Sequence, residues 1–374
     1  MKVLQVLPEL NAGGVERGTL ELGRFLVGLG HDSHVISAGG RQVARLEAEG
    51  STHTRLPVHR KSPRSLAVIP KLRAWMLRER PDVVHIRSRV PAWLVYLAWR
   101  SLPQARRPGL VSTVHGFYSV NRYSAVMTFG QEVVCVSNGV RDYVLENYPR
   151  CPASRLSVIH RGVDPAELPW RYQPPADGPA MEIRRAHADR YLLTLAGRVT
   201  HWKGHAEFLD LVGRLRGAGV PVHGLIAGGA HPRRQDFYAS LKTQAATLGI
   251  DEAVSFLGDR EDLRDILAVS DAVISLSKDP EAFGRVTLEA LSLGVPTLGY
   301  AHGGVQEQLE TLYPAGLVRP LDLAHAQSIL TAWQARGAPP VPGGVGPFSL
   351  EAMCTKIVSL YERLCAGGRA GAGV

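Results

Sequence analysis

The chain has 374 residues, of which 45% are hydrophobic and 21% are charged, and its formal net charge is +9. This composition excludes a disordered chain, and the length predicts two domains because one hydrophobic core rarely serves so many residues. The longest apolar run, residues 92–99, is too short to span a bilayer. The apolar first residues are broken by Gln5 and end at Pro8, so we expect no signal peptide. The four cysteines have no metal-ligand spacing, which favours free thiols in a reducing compartment, the cytoplasm.

Strands and helices alternate along the first half of the chain. A buried strand at residues 3–7 precedes a helix at about 14–29. Further short strands are predicted at residues 34–37, 83–86, 110–115, 132–137 and 156–159. A Pro-rich break at residues 172–179, followed by a polar stretch to Arg190, is typical of a linker.

The same alternation resumes after this break. The pattern predicts strands at residues 191–196, 222–227, 254–257, 272–276 and 297–300, with helices at 203–217, 235–248, 261–269 and 286–293. Alternating strands and helices predict parallel, doubly wound sheets. Two such sheets joined by a linker predict a ligand cleft between the carboxyl ends of their strands. A last helical segment at residues 350–364 follows a Pro- and Gly-rich stretch.

Positive charge is concentrated in the first half. Residues 1–164 contain 23 Lys and Arg against 12 Asp and Glu, whereas residues 165–374 contain 20 against 22. Many of these cations lie between residues 59 and 80, interleaved with apolar residues at helical spacing. The segment indicates either a membrane-surface helix attracted to anionic lipid, or an ordinary helix that packs Leu72 and Met76 on a sheet. The one-sided charge favours the membrane alternative.

Two glutamates eight positions apart, Glu281 and Glu289, flank the junction between the strand at 272–276 and the helix at 286–293. Gly284 lies near the start of that helix, where free backbone N–H groups and the positive end of the dipole suit a phosphate. A carboxylate beside a phosphate cradle can accept hydrogen bonds from sugar hydroxyls. The alternative is an acidic N-terminal turn followed by an exposed helical glutamate.

This junction resembles the Glu-x7-Glu element of retaining glycosyltransferases of family 4, which have the GT-B fold. The resemblance implies that Glu281 approaches the donor sugar and that Glu289 binds the ribose hydroxyls of the nucleotide. It also implies donor-binding roles for the residues between them, Phe283, Gly284, Arg285 and Val286.

A second element of the same family follows the first strand of the second half. Gly197-Arg198 and Lys203-Gly204 resemble its G-R-x-x-x-x-K-G motif, which implies that Arg198 and Lys203 grip the diphosphate of the donor. Two fixed cations would neutralise the departing nucleoside diphosphate, as a metal does elsewhere. The alternative is a pair of surface cations, which the helix dipole disfavours at a helix N-terminus. The resemblance implies no metal and no cofactor.

The first half carries further landmarks of the family. Gly14, in a Gly-Gly pair after the first strand, resembles its first glycine-rich loop, although such a pair is usually a turn. His115 ends a strand and resembles the family's histidine beside the reacting sugar, although a lone strand-end histidine is more often structural. Arg161 stands where members often carry Asn, which leaves its role open. We expect Glu16 and Arg89 on the acceptor side.

Together these motifs predict a GT-B fold of two Rossmann-like domains. The acceptor-side domain is expected at residues 1–170 with a crossover helix at 350–366, and the donor domain at 190–345. The resemblance implies a retaining, metal-independent hexosyl- or heptosyltransferase that uses a nucleotide-sugar. The basic first domain indicates an anionic acceptor, such as a lipid-linked sugar or lipopolysaccharide core, and a peripheral position at the inner face of the cytoplasmic membrane.

Two other functions fit the sequence. One is a soluble glycosyltransferase that acts on a small molecule or a glucan, with a basic face that has no role at membranes. The other is a non-catalytic GT-B-like binding protein. We expect no nucleic-acid partner, because the sequence has no RNA-binding motif, and it also lacks the dehydrogenase fingerprint and the Walker A element.

Overall fold

The computed structural model describes residues 1–11, 13–230 and 235–370, with side chains up to residue 366. Backbone contacts divide the chain into two units. The N-terminal unit comprises Met1–Gly162 and Leu350–Val374, and the C-terminal unit comprises Val163–Ser349. Residues 172–190, which the sequence indicates as a linker, therefore lie inside the C-terminal unit.

The N-terminal unit is built around a parallel sheet. Its strands are β1 (Lys2–Val6), β2 (Asp32–Ser37), β3 (Thr52–Arg55), β4 (Val83–Ile86), β5 (Gly109–Val114), β6 (Glu132–Cys135) and β7 (Leu156–Val158). Its helices along the same stretch are α1 (Gly14–Gly28), α2 (Val43–Ala48), α3 (Ile69–Glu79), α4 (Arg89–Arg100) and α5 (Asn138–Asn147). The strand order is β3-β2-β1-β4-β5-β6-β7, with every neighbouring pair parallel. The order reverses between β1 and β4, so their carboxyl ends border the crevice where doubly wound sheets bind ligands.

The C-terminal unit repeats this architecture with six strands. They are β8 (Tyr191–Ala196), β9 (Val222–Ala227), β10 (Val254–Gly258), β11 (Ala272–Ser275), β12 (Thr297–Tyr300) and β13 (Leu317–Val318). The helices are α6 (Pro179–Ala186), α7 (His205–Gly217), α8 (Gln235–Thr247), α9 (Leu263–Ala268), α10 (Arg285–Ser292), α11 (Gly303–Leu312) and α12 (Leu323–Arg336). The order β10-β9-β8-β11-β12-β13 is again parallel and reverses between β8 and β11.

The last helix, α13 (Leu350–Ala370), belongs to the N-terminal unit. Its residues Met353, Ile357 and Tyr361 share a buried core with Val3 of β1 and Val111 of β5. The two doubly wound parallel sheets confirm the predicted fold class.

Six of the described helices occupy stretches where the sequence analysis predicts none, namely α2, α4, α5, α6, α11 and α12. The apolar run at residues 92–99 lies within α4. Helix α6 begins at Pro179, at the end of the Pro-rich break, because proline has a suitable φ for the first helical turn and its missing N–H is not needed there. No helix in the described ranges is long and apolar enough to cross a membrane.

The basic segment forms a short 3₁₀ turn, Pro63–Val68, followed by α3. The apolar residues of α3, Leu72, Trp75 and Met76, are at most 4% exposed, so this helix packs on its own unit. Leu66 in the preceding turn is 56% exposed. Of the two alternatives for this segment, the packing of Leu72 and Met76 is the one observed, and the apolar face of α3 is not available to a bilayer.

Candidate active site

The crevice of the C-terminal sheet gathers the residues of two predicted motifs. Lys203 follows β8 and Glu281 follows β11, the two strands at which the strand order reverses. The Lys203 Nζ lies 2.8 Å from the Glu281 Oε1, and the Ser277 hydroxyl donates to the same oxygen at 2.5 Å. A cation, a carboxylate and a hydroxyl thus form one cluster at a site where this type of sheet binds ligands.

A cavity of about 180 Å³ opens beside this cluster. Its lining residues are Leu195, Ala196, Lys203, Val273, Ile274, Ser275, Ser277, Glu281, Gly284, Arg285, Val286 and Thr287. The predicted catalytic residue Glu281 and four predicted donor-binding residues, Lys203, Gly284, Arg285 and Val286, are therefore brought together around one space. The wall joins apolar strand residues to a few polar groups, which is the usual composition of a small-molecule site.

Helix α10 directs its N-terminus at this cavity. Gly284 caps the helix with φ of 83°, a left-handed conformation that glycine adopts without strain. A Cβ at this position would lie 2.5 Å from the Val305 Cγ2, so a larger residue would displace the turn. Because Arg285, Val286 and Thr287 all line the cavity, the first backbone N–H groups and the positive end of the dipole lie at its edge. This is a suitable place for an anionic group.

Glu289 lies one turn farther along α10 and is 8% exposed. Its Oε1 accepts a hydrogen bond from the Arg285 Nε at 3.0 Å. Arg285 lines the cavity whereas Glu289 does not, so the ion pair connects the inner glutamate to the site through an arginine. The exposed helical glutamate that the sequence left as an alternative is not what the structure contains.

The loop that carries Glu281 is fixed from behind by α11. The Gly304 N–H donates to the Glu281 carbonyl at 2.8 Å, and a Cβ on Gly304 would overlap the backbone of Phe283. The Gln308 side chain donates to the Phe283 carbonyl, and the His302 Nε2 lies 2.8 Å from the Ser277 carbonyl. Phe283 itself is buried, with its ring 6.2 Å from that of Phe348, so its side chain supports the loop.

Arg198 is placed differently from Lys203. It follows β8 with an exposed side chain and is outside the residues that line the cavity. Lys203 is held more closely, since its Nζ also lies 4.6 Å from the centre of the Trp202 ring. The two predicted diphosphate cations therefore differ in how firmly the free protein positions them.

In the N-terminal unit, His115 follows β5 and contacts Arg161. The Arg161 Nη2 donates to the His115 Nδ1 at 2.7 Å. Burial, together with the positive charges of Arg161 and Arg87, holds the pKa of His115 well below its usual range. The ring is therefore neutral, and because Nδ1 accepts, the proton is on Nε2. The Nε2 is buried and has no hydrogen-bond partner among the described residues, so it can donate to a ligand.

The other predicted residues of this unit lie near its strand ends. Gly14 begins α1, the helix that follows β1, and Glu16 is half-buried in its first turn. Burial raises the pKa of Glu16. The Arg89 Nη1 donates to the Ser124 hydroxyl at 3.2 Å, and its guanidinium lies 4.7 Å from the centre of the Tyr118 ring. Arg89 is thus half-buried in an aromatic environment.

Two family models match the sequence. "Glycosyltransferase Family 4" matches residues 12–167, and "Glycosyl transferases group 1" matches residues 180–326, so that together they span most of the chain. The chain is a glycosyltransferase of the GT-B fold, and its first half matches the family 4 model. The predicted GT-B fold is confirmed, and the matches support the predicted family 4 assignment without its lipopolysaccharide type.

Individual relatives of this glycosyltransferase support the same assignment. The N-acetyl-alpha-D-glucosaminyl L-malate synthase of Bacillus anthracis is 24% identical over 317 residues, which cover 81% of this chain and 79% of that protein. A glycosyltransferase from Rickettsia africae has a structure that superposes with a TM-score of 0.80 at 26% identity, covering 97% of this chain and 98% of the other. Alr3699/HepE from Anabaena, solved with UDP and glucose, has a TM-score of 0.77 at 20% identity over 97% and 100% of the two chains. This last likeness concerns the fold.

Three residues of this glycosyltransferase gain significance only from the geometry. Ser277 bonds the Glu281 carboxylate, Arg161 fixes the tautomer of His115, and Arg87 adds positive charge near the same histidine. The sequence offers one signal that could have found Arg87 and Ser277, namely that each is a polar residue directly after a buried strand. The described residues contain no group of three or more His, Cys, Asp or Glu that could hold a metal ion.

Proposed function

We propose that this glycosyltransferase moves a hexose or heptose from a nucleotide-sugar to an acceptor hydroxyl with retention of anomeric configuration. The observation that carries the proposal is the cluster of Lys203, Ser277 and Glu281 beside the N-terminus of α10. A cation and a helix N-terminus suit the diphosphate of such a donor, and a carboxylate suits its sugar hydroxyls. The UDP and UDP-glucose bound in the solved Anabaena relative support a donor of this class.

In the proposed reaction, the diphosphate lies between Lys203 and the first N–H groups of α10. The negative charge on the diphosphate increases as its bond to the anomeric carbon breaks, and preorganised positive groups stabilise that charge most in the transition state. The ion pair with Glu281 holds Lys203 in place before the donor arrives. When Lys203 turns to the diphosphate, the Glu281 carboxylate becomes free to accept hydrogen bonds from the sugar.

The transfer proceeds on one face of the sugar. The bond from the anomeric carbon to the diphosphate oxygen breaks, and the acceptor oxygen bonds to the same carbon from the same side. The acceptor proton passes to the departing phosphate oxygen. His115 positions the sugar through its Nε2–H, which needs an acceptor atom and has none among the described protein groups. Positive charge from Lys203 and α10 serves the role that a metal ion has in other transferases, so the proposal requires no metal and no cofactor.

For the acceptor, we propose an anionic glycolipid or oligosaccharide of the lipopolysaccharide type. The excess of Lys and Arg over residues 1–164 supports an anionic partner. A lipopolysaccharide core mannosyltransferase of Rhizobium meliloti is 28% identical over 154 residues, which supports this class over part of the chain. The malate acceptor named for the Bacillus relative supports the second candidate, a soluble acceptor that is small and anionic.

We also propose that the enzyme acts in the cytoplasm at the inner face of the membrane. Two exposed segments support this position, the turn with Leu66 and the loop with Val120, each 56% exposed at that residue. Lys61 links them, because its Nζ lies 5.3 Å from the centre of the Tyr123 ring. Apolar side chains among exposed cations are suited to an anionic bilayer surface.

The donor proposal is tested with a panel of UDP-, GDP- and ADP-sugars, measured as thermal shift and as donor consumption. One nucleotide should raise the unfolding midpoint, since a ligand at 100 times its Kd stabilises by about 2.7 kcal/mol. NMR of the product linkage should show the anomeric configuration of the donor. Lys203→Ala should lose this stabilisation by the nucleotide. Its matched control is Lys278→Ala, because Lys278 pairs with Glu207 at 3.1 Å and does not line the cavity.

Three results would contradict parts of the proposed function. A stabilising nucleotide with no donor consumption under any condition would support a non-catalytic binding protein instead. An inverted product would remove the retaining mechanism while leaving the transferase. Loss of activity on chelation with EDTA, restored by a divalent cation, would contradict a metal-independent reaction.

A further inference from the structure

Arg89 is a cation at the crevice of the N-terminal sheet that the proposed donor site does not use. It begins α4, the helix that follows β4, and β4 is one of the two strands at which the order of this sheet reverses. The first turn of α4 contains no acidic residue. The positive end of the helix dipole disfavours a cation at this position and favours an anion. An anionic group beside Arg89 would therefore be stabilised both by the guanidinium and by the helix.

The Arg89 side chain is half-buried against two tyrosine rings of the loop that follows β5. Its Cζ lies 4.7 Å from the centre of the Tyr118 ring and 5.7 Å from the centre of the Tyr123 ring. The Nη1 donates to the Ser124 hydroxyl at 3.2 Å, and among the described residues the side chain has no other hydrogen-bond acceptor and no carboxylate within ion-pair distance. Arginine remains charged in proteins, so its other N–H groups can bind an anionic ligand.

Both tyrosines carry a hydroxyl whose proton has no acceptor. The Tyr118 hydroxyl accepts a hydrogen bond from the His115 backbone N–H at 3.1 Å, and within the described part of the chain no group accepts from it. The Tyr123 hydroxyl is buried and has no hydrogen-bond partner in the same ranges. Burial raises the pKa of both hydroxyls, so both keep their protons at neutral pH. The cluster therefore offers hydrogen-bond donors without a negative group to satisfy them.

The loop that carries these tyrosines is fixed to helices of its own unit. The Trp93 Nε1 of α4 donates to the Tyr123 carbonyl at 2.9 Å. The Tyr143 hydroxyl of α5 donates to the Tyr118 carbonyl. The donors are therefore positioned before a ligand arrives, and this preorganisation lowers the cost of binding.

We propose that Arg89, Tyr118 and Tyr123 form a subsite for a phosphate monoester group of the acceptor. This assignment rests on the proposed function, because it names the group by which the enzyme recognises its anionic acceptor. A phosphate monoester brings three acceptor oxygens to these three donor groups, and a guanidinium binds such oxygens in pairs. Since one hydrogen bond holds the guanidinium on the rings, Arg89 can turn toward the phosphate and give it access to the Tyr123 hydroxyl.

The acceptor is favoured over two other sources of this phosphate. The C-terminal unit has its own groups for the donor diphosphate, Lys203 and the N-terminus of α10. A bilayer surface meets exposed cations such as Arg60 and Lys61, whereas Arg89 is half-buried and the Tyr123 hydroxyl is buried. Enclosed polar groups of this kind suit one phosphate on a bound substrate.

The test measures binding of inorganic phosphate by calorimetry on the full chain, with and without saturating UDP. The variants are Arg89→Gln, which removes the cation, and Tyr123→Phe, which removes only a buried hydroxyl without a described partner. The matched controls are Arg107→Gln and Tyr191→Phe. Arg107 also lies against an aromatic ring, 5.0 Å from the centre of Trp99, but it precedes β5 and is therefore at the amino end of the strands. The Tyr191 hydroxyl is likewise buried without a partner in the described ranges, at the start of β8.

We expect the wild type and both controls to bind phosphate whether or not UDP is present. Arg89→Gln should bind it about tenfold more weakly or worse, and Tyr123→Phe about threefold to tenfold more weakly, because each loses a hydrogen bond to a charged group. Tyr123→Phe should keep or raise the unfolding midpoint, since its hydroxyl is unsatisfied in the free protein, so a structural role would not explain weaker phosphate binding. Affinity for UDP should change less than about twofold in all five proteins, because distant sites act independently.

Four results would overturn the assignment. If the wild type binds no phosphate, or if both site variants bind it as the controls do, the cluster has only a structural role. If UDP displaces phosphate and Arg89→Gln weakens UDP binding, Arg89 serves the donor diphosphate. If Arg89→Gln is released from phosphatidylglycerol vesicles but keeps its affinity for soluble phosphate, the partner is a lipid headgroup.

Failure of this subsite can be distinguished from failure of the proposed function. Donor consumption by an enzyme that does not bind phosphate contradicts the subsite and leaves the transferase. Phosphate binding with the expected loss in both variants, but without consumption of any nucleotide-sugar, supports the phosphate site and contradicts the transferase. Should Arg89→Gln not fold, as judged by circular dichroism, Tyr123→Phe decides.

Discussion

The two sheets of this enzyme have the same reversal of strand order, but the cations at the two crevices have different partners. In the C-terminal unit, Lys203 pairs with Glu281 at 2.8 Å and Arg285 pairs with Glu289 at 3.0 Å. In the N-terminal unit, Arg87 bonds the neutral amide of Gln5, and Arg161 bonds the neutral ring of His115. One fold thus supports one crevice with two cation–carboxylate pairs and another in which the buried guanidinium of Arg87 bonds a neutral amide.

This difference indicates what each site needs from a ligand. At the C-terminal crevice, the ion pair between Lys203 and Glu281 keeps both side chains in position in the free enzyme. A ligand that binds there must exchange this pair for its own contacts. In the N-terminal crevice the Gln5 amide leaves the positive charge of Arg87 in place, which favours an anionic neighbour over a neutral one. Variants that change one unit at a time should therefore separate the two sites, with the largest effect at the C-terminal crevice.

The largest effect is expected from Lys203→Ala. Removing a preorganised cation from the leaving group should lower kcat by about 100-fold or more and should weaken binding of the free nucleoside diphosphate. Arg198→Ala should also lower kcat. The ratio of the kcat values of the two variants measures how much the exposed cation Arg198 contributes relative to Lys203. Lys278→Ala is the control for both, and steady-state kinetics with calorimetry of the diphosphate is the measurement. Unchanged diphosphate affinity in both site variants would remove the proposed cradle.

The two glutamates should separate turnover from binding. Glu281→Gln keeps the shape of the side chain but removes the negative charge that holds Lys203. The kcat should therefore fall by about tenfold to 100-fold. Glu289→Gln acts through Arg285 and should chiefly raise the KM for the donor. Glu310→Gln is a control on the neighbouring helix, because Glu310 is exposed and accepts only from Gln306 in the structure as described. Wild-type kinetics in both site variants would show that the pair is a surface feature.

Membrane binding tests the exposed charge of the N-terminal unit. Replacing Arg60, Lys61, Arg64 and Lys71 together by Gln should release the enzyme from anionic vesicles, since each cation near such a surface contributes about 1 kcal/mol. A C-terminal control replaces the exposed cations Arg214, Arg216, Lys242 and Arg336. Activity on a soluble acceptor fragment should persist in both variants.

Co-sedimentation with phosphatidylglycerol vesicles at low and high salt is the measurement, because salt screens surface charge. Wild-type enzyme that ignores these vesicles at low salt would contradict the membrane proposal. The basic surface would then serve the acceptor's own anionic groups, and the first variant would raise the acceptor KM instead.

The smallest effect concerns pH. Burial lowers the pKa of His205 to about 4, below the value of about 6.5 that an unfolded chain has. Between these values the unfolded state binds more protons, so the free energy of unfolding decreases as the pH falls from 6.5 toward 4. The loss from this residue should be about 2 kcal/mol near pH 5. Urea unfolding at pH 7 and pH 5 should show a smaller difference for His205→Gln than for the wild type, and an equal difference would exclude His205 as the source.

Much of the fold could be predicted because strand signals are local. Buried strands in parallel sheets are short apolar runs, and the predicted strands at 191–196, 222–227 and 297–300 coincide with β8, β9 and β12. Helix α6 was missed because proline is common both in loops and at the first position of a helix. Pro179 ends the Pro-rich break and also begins α6. The apolar stripe of α3 was correctly recognised, but a stripe does not tell whether protein or lipid covers it.

The sequence by itself determined the class of the fold, the order of its motifs and the residue types at each strand end, because these depend on patterns within short segments. Only the tertiary structure decided which of those residues meet. Lys203 and Glu281 are 78 positions apart, and Arg161 and His115 are 46 apart, so neither contact has a local signature. The reversal of strand order brings Lys203 and Glu281 to one crevice, whereas Arg161 meets His115 beyond the ends of β7 and β5. The position of Arg161, whose role the sequence left open, is therefore a property of the folded sheet.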